Sequence, residues 1–142
     1  MAQDHIQQYQ KNGYAVVKGL FDPDEVAAMA LAFDRVYAEG MAHGRSFRLQ
    51  NVFFNIAHDD ALGPIVRMVQ WPSYFNKELE QIRRDPRILR IIEPLLGPNL
   101  KQIINQMHWK PPGAAMAEFG FHQDARSRRP REAYRDLANS YI

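Results

Sequence analysis

The sequence of 142 residues contains no cysteine. Disulfide bonds, thiolate metal sites and cysteine nucleophiles are therefore excluded, and a bound metal has to be held by His, Asp or Glu side chains. Ligands of this kind suit iron, manganese or zinc.

Long hydrophobic runs are also missing. No apolar stretch approaches the roughly 20 residues that a membrane-spanning helix needs, and residues 1–12 are too polar for the apolar region of a secretory signal. Repeats and low-complexity tracts are absent, while 46% of the residues are hydrophobic. We therefore expect one soluble domain over residues 1–142, located in the cytoplasm and without a membrane partner.

The net charge is small, at +2, but basic residues crowd one segment near the end of the sequence. This arginine cluster consists of Arg126, Arg128, Arg129, Arg131 and Arg135. It could bind an anion, or it could be a solvated loop or a surface that meets further chain. Because it lacks the repeated interleaving of aromatic residues that a single-strand nucleic-acid surface has, a nucleic-acid partner is not expected.

The clearest local signal is a helix start at Asp22-Pro23. Asp22 is an N-cap residue, Pro23 suits the first helical position and Glu25 completes a capping box, so a helix is predicted that ends at Gly40. Apolar residues at helical spacing form its predicted buried face: Val26, Met29, Ala30, Phe33, Val36 and Tyr37.

Three other helical segments are predicted. Residues 4–11 form a short helix, and the Asp85-Pro86 pair repeats the cap-and-proline start for a helix that ends before Gly97. A further helical region is expected from Asp60 onward, with Asp60 as its N-cap.

Strands are predicted over residues 14–18, 47–56 and 118–124. Residues 1–98 are therefore interpreted as a mainly helical layer with edge strands, and residues 99–142 as the first core strands. Helices first and strands afterwards are typical of an α+β fold with an antiparallel sheet.

From residue 101 onward the sequence alternates with the two-residue period of a strand. One predicted face is apolar and is expected to join the core: Ile103, Met107 and Trp109. The opposite face is better suited to lining a polar pocket: Gln102, Ile104, Gln106, His108 and Lys110.

A histidine and a carboxylate lie two residues apart at the end of the sequence segment FGFHQDA. On a strand, His122 and Asp124 point to the same side, and both can reach one ion at about 2.0–2.2 Å. One further histidine would complete the facial triad of non-haem Fe(II) oxygenases. The alternative is a hydrogen-bonded turn, since the sequence has a second such triplet at His58, which we interpret as structural.

Several longer segments resemble the phytanoyl-CoA dioxygenase family in order and spacing. They are YQKNGYAVVKGLFDPDEVAAMALAFDRVY, PLLGPNL, HWKPPG and FGFHQDA, and the Lys-Pro-Pro-Gly turn followed by Phe-x-His-Gln-Asp is the most specific part. The resemblance implies an Fe(II)- and 2-oxoglutarate-dependent oxygenase, in which N-terminal helices pack on the first strands of a double-stranded β-helix, or jelly roll.

The same resemblance implies roles for five residues. His122 and Asp124 would be iron ligands, Gln106 and Lys110 would meet 2-oxoglutarate or the substrate, and Arg48 would approach the cosubstrate. Because halogenating relatives have a small residue where this sequence has Asp124, hydroxylation of a small organic substrate is expected. Alternatively, Gln106 and Lys110 only solvate a strand edge, and Arg48 pairs with an acid.

Two elements of the family pattern have no counterpart in this sequence: a second histidine ligand and an arginine that clamps the far carboxylate of 2-oxoglutarate. The sequence ends eighteen residues after Asp124, and the other four histidines precede the motif. We therefore expect a truncated domain, inactive alone, whose missing partner is its own C-terminal half. The alternative is a non-catalytic binding protein that holds an anion through the arginine cluster.

Overall fold

A computed structural model of the protein describes residues 4–115 and 120–122. Within these residues, helices are combined with a four-stranded antiparallel sheet, and the predicted α+β class is confirmed. The elements are α1 (Asp4–Asn12), α2 (Pro23–His43), β1 (Phe47–Leu49), β2 (Val52–Asp59), β3 (Gly63–Gln70), a 3₁₀-helix (Pro72–Tyr74), α3 (Lys77–Arg83), α4 (Pro86–Leu96) and β4 (Gln106–His108). Three strands precede α3 and α4, so the predicted order of helices before strands is wrong.

Helix α2 starts as its sequence predicts. The Asp22 side chain accepts a hydrogen bond from the Glu25 backbone N–H, and the Glu25 side chain accepts one from the Asp22 N–H, both at 2.8 Å. The predicted end at Gly40 is wrong, because the helix continues to His43 and is capped by Gly44 at a φ of 63°. Glycine at position 44 suits this left-handed conformation.

The buried face of α2 agrees with the predicted one at Val36 and Tyr37 but differs from it at other positions. Ala32, Val36 and Gly40 are buried, whereas Val26 and Phe33 are 52% and 41% exposed. Small residues let the helix approach the sheet closely: a Cβ built on Gly40 would lie 2.7 Å from Cγ2 of Val66. The hydrophobic pattern overlooked this face because it gives weight to large apolar side chains.

Residues 60–70 form a hairpin and a strand, so the predicted helix from Asp60 is wrong. The Asp59 carboxylate accepts hydrogen bonds from the backbone N–H groups of Ala61 and Leu62, at 3.0 and 3.2 Å, and thereby closes the turn between β2 and β3. Asp60 lies in that turn and is not an N-cap. The His58 triplet is structural, but through a turn instead of a helix start.

Two other strand predictions need correction. Residues 47–56 were expected to form one strand, but β1 and β2 pair with each other through a tight turn in which Gln50 has a φ of 48°. Residues 14–18 form no strand, and Tyr14 and Val16 are exposed there. By contrast, α1 and α4 occupy the predicted segments, and Asp85 caps α4 by accepting from the Arg87 N–H.

The sheet has the order β1-β2-β3-β4 and contains one bulge. Asn55 pairs with Met68 but Ile56 pairs with Val66, so Arg67 is the extra residue on β3. The extra residue reverses the alternation, which puts Val66 and Val69 on the same side although they are three positions apart.

The two sides of the sheet have different surroundings. One side packs against α2 and forms the main core, which contains Val36, Phe54, Val66, Val69 and Met107. We call the other side the polar face and define it by Arg48, Phe53, Gln70, Gln106 and His108. Next to it, Ile65 and Ala114 form a small second cluster with Ala57.

None of the helices in the described ranges has the length and apolar character needed to cross a membrane.

Candidate functional site

One row of the polar face runs across all four strands. Arg48 pairs with Phe53, Phe53 with Gln70, and Gln70 with Gln106. Residues that pair directly across antiparallel strands point to the same side, so these four side chains share the face that points away from α2. Because neighbouring strands lie about 4.8 Å apart, the Cα atoms of Arg48 and Gln106 are about 14 Å apart, at opposite edges of the sheet.

The predicted alternation around β4 is confirmed for residues 106–109. Met107 is 5% exposed in the core, and the Trp109 ring packs on α2 against the rings of Phe33 and Tyr37. Gln106 and His108 lie on the opposite side and are exposed. The alternation does not extend backward, because Ile103, predicted to be in the core, is 63% exposed.

Gln106 and His108 contact each other on the polar face. Nε2 of His108 lies 3.3 Å from Oε1 of Gln106. An amide oxygen only accepts hydrogen bonds, so the imidazole Nε2–H is the donor.

Basic side chains surround His108. Partial burial lowers the pKa of His108, and the nearby charges of Lys110 and Arg67 lower it further. These effects favour the neutral imidazole at pH 7. The Arg67 contribution was not predicted from the sequence, because residues 60–70 were interpreted as a helix and the bulge that positions Arg67 has no local sequence signal.

Arg48 interacts with the ring of its cross-strand neighbour. Its guanidinium carbon lies 5.1 Å from the centre of the Phe53 ring, within cation–π distance. The contact holds the cation over the polar face near β2. The structure thus puts Arg48 and Gln106 on one face without direct contact, and it puts Lys110 and Arg67 close to His108.

The imidazole of His122 bonds to the backbone close to it in the sequence. Its Nδ1 lies 2.9 Å from the backbone oxygen of Gly120, and because a carbonyl oxygen only accepts, Nδ1–H is the donor. Metal-binding histidines commonly have this arrangement, in which one ring nitrogen donates to a carbonyl and the other binds the metal. The role of His122 as an iron ligand stays a prediction.

The rest of the predicted metal site lies outside the described residues. This holds for Asp124, for the arginine cluster and for most of the predicted strand over residues 118–124. Among residues 4–115 and 120–122, no three His, Asp or Glu side chains converge on a point that could hold a metal. His122 would need ligands from elsewhere.

Comparisons with known proteins indicate the family. The model of the family described as "Phytanoyl-CoA dioxygenase (PhyH)" matches residues 9–141. The chain is similar to mouse (Mus musculus) "Phytanoyl-CoA dioxygenase, peroxisomal", with 28% identity over 120 residues, which are 82% of this chain and 35% of the mouse protein. The chain thus spans about a third of that relative's length, and no solved structure matches it. Because the family model covers nearly all of the sequence, the chain belongs to the phytanoyl-CoA dioxygenase family.

Proposed function

We propose that the chain contributes the front part of an Fe(II)- and 2-oxoglutarate-dependent hydroxylase that acts on a small organic substrate. The observation that carries this proposal is the family match over residues 9–141, which includes both His122 and Asp124. The family is one of dioxygenases, and the identity of the substrate lies beyond what the family name specifies.

In this proposal His122 and Asp124 hold the iron. Support comes from His122, whose Nδ1–H donates to the Gly120 carbonyl oxygen, an orientation that metal-binding histidines commonly have. Bound iron, together with 2-oxoglutarate, would supply the activation of dioxygen. A third ligand and an arginine for the far carboxylate would come from further strands, which would complete a jelly roll around the polar face.

The polar face would bind the cosubstrate and substrate. 2-Oxoglutarate carries two negative charges, and the basic side chains of Arg67 and Lys110 lie close enough to His108 to lower its pKa. We propose that Gln106 and Lys110 meet 2-oxoglutarate or the substrate, and that Arg48 approaches from the opposite edge, held in place by Phe53.

The polar face would also need to exclude water during the reaction. Met107 and Trp109 anchor β4 to the helix layer from behind, so Gln106 and His108 are presented on a fixed strand. The predicted partners are the small-molecule substrate and the remainder of the domain, and the predicted compartment is the cytoplasm.

The experiment measures 2-oxoglutarate turnover by the full-length protein. Succinate formation is followed with Fe(II) and a panel of candidate substrates, for the wild type and for Asp124→Ala. We expect the substitution to abolish substrate-coupled turnover, because it removes a proposed iron ligand.

The matched control is Asp60→Ala. Asp60 ends the second His-x-Asp triplet of the sequence and lies exposed in the β2–β3 turn, so its replacement should leave turnover unchanged. Full turnover in Asp124→Ala would refute the proposed role of the His122–Asp124 pair.

A further inference from the structure

We infer that His108 is a positioning residue, whose Nε2–H holds the side-chain amide of Gln106 so that the amide NH₂ is preset to donate to a carboxylate bound on the polar face. This inference rests on the proposed function, because a carboxylate cosubstrate is what the preset donor would recognise.

The strand geometry brings the two side chains together. Residues 106 and 108 are alternate positions of β4, so their side chains are neighbours on the same side about 7 Å apart along the strand. The two side chains bend toward each other, so that Nε2 of His108 lies 3.3 Å from Oε1 of Gln106, within hydrogen-bond distance.

The direction of this hydrogen bond fixes the orientation of the amide. Oε1 of Gln106 accepts from the imidazole, and the NH₂ group lies on the other side of the amide carbon. Without His108, the amide could rotate and present either its oxygen or its nitrogen to a ligand. With His108, it presents a donor, which is the group that a carboxylate requires.

The charges around His108 favour the neutral form of its imidazole, which is the hydrogen-bond donor to Gln106. Lys110 and Arg67 disfavour the protonated ring, as does partial burial, so the imidazole stays neutral with a single N–H. The neutral ring therefore offers one N–H, which the contact with the amide oxygen of Gln106 places on Nε2.

Strand β4, which carries Gln106 and His108, is anchored to the rest of the fold. Met107, between the two residues, is buried in the core, and the Trp109 N–H donates to the Arg67 carbonyl oxygen at 3.2 Å. His108 therefore orients Gln106 on a strand that is anchored by the core and by its pairing with β3.

The first test is a double-mutant cycle in the full-length protein, with the KM for 2-oxoglutarate and kcat as separate readouts. We expect His108→Ala to raise KM about fivefold to tenfold, the factor that one ordinary hydrogen bond contributes, with kcat nearly unchanged. Gln106→Ala should have a similar effect. In the Gln106→Ala background, removing His108 should change KM no further, because His108 acts through Gln106.

A conservative variant separates positioning from packing. His108→Gln keeps a side-chain N–H donor and should restore most of the affinity lost in His108→Ala. An unchanged KM in His108→Ala, or the same loss of affinity when Gln106 is already absent, would overturn the inference.

The second test does not depend on catalysis. Imidazole nitrogen NMR, with His108 assigned from the His108→Gln spectrum, should show the proton on Nε2, and Gln106→Ala should weaken that preference. A proton on Nδ1 in the wild type would overturn the inference. If the wild type neither binds nor turns over 2-oxoglutarate while the Nε2–H form is observed, the proposed function fails and the orientation of Gln106 stands.

Discussion

Gly40 offers a sharp test of how closely α2 lies on the sheet. An added Cβ would lie 2.7 Å from Cγ2 of Val66 and 3.4 Å from atoms of Ile56 and Phe54. Val66 and Phe54 are fully buried, so the neighbours have little room to move. Overpacking of this kind costs about 1–3 kcal/mol, while replacing glycine by alanine inside a helix contributes about 1 kcal/mol of stability. The net expectation for Gly40→Ala is a loss of up to about 2 kcal/mol.

The sign of the effect should depend on Val66. In a Val66→Ala background the closest obstacle is gone, and Gly40→Ala should then stabilise the protein by about 1 kcal/mol, the helix propensity alone. The assay is urea unfolding of the four proteins in the cycle, with Ala42→Gly as a control for propensity at an exposed position of the same helix. If Gly40→Ala stabilises the protein with Val66 in place, the close approach of α2 to β3 is wrong.

Two further predictions concern the ion pairs and the sheet. Arg87 bonds to Glu25 at 2.9 Å and to Asp85 at 2.8 Å, and hydrogen bonds from its side chain lower the pKa of Glu25 and lower that of Asp85 to about 2. Since both folded-state values lie below the unfolded ones, the stabilisation is present above about pH 4 and is lost as the pH falls toward 2. Urea midpoints of the wild type and Arg87→Met should therefore converge between pH 4 and pH 2, and a gap that widens there would contradict the assignment. Phe54 is fully buried while Phe53 lies half-buried on the polar face, so Phe54→Ala should cost about 3–5 kcal/mol and Phe53→Ala clearly less in urea unfolding. Equal costs would mean that the two faces of β2 are assigned wrongly.

The helix starts could be predicted from the sequence because a cap is a local feature. Asp22, Pro23 and Glu25 satisfy one another within a single turn, and Asp85 with Pro86 does the same for α4. No distant residue has to be known for either prediction.

Strand β3 was mistaken for a helix because its bulge disturbs the two-residue period. With Arg67 inserted, the buried residues are Ile65, Val66 and Val69, a spacing that resembles one face of a helix. The bulge depends on pairing with β2, and such pairing cannot be inferred from β3 alone.

For the candidate site, too, the local features could be predicted from the sequence and the long-range ones could not. Gln106 and His108 could be assigned to one face because alternation within a strand is local. That Arg48 shares a row with Gln106 follows from the register of four strands, and the position of Arg67 follows from the bulge. Neither relation is contained in any short segment of the sequence.

The central claim is that His122 binds ferrous iron through Nε2, together with Asp124. The most direct measurement is anaerobic Fe(II) binding to the full-length protein, comparing the wild type with His122→Ala and with His58→Ala, an exposed histidine in the second His-x-Asp triplet. We predict one tightly bound iron per chain in the wild type and in His58→Ala, and loss of tight binding in His122→Ala. Unchanged iron affinity in His122→Ala would contradict the account.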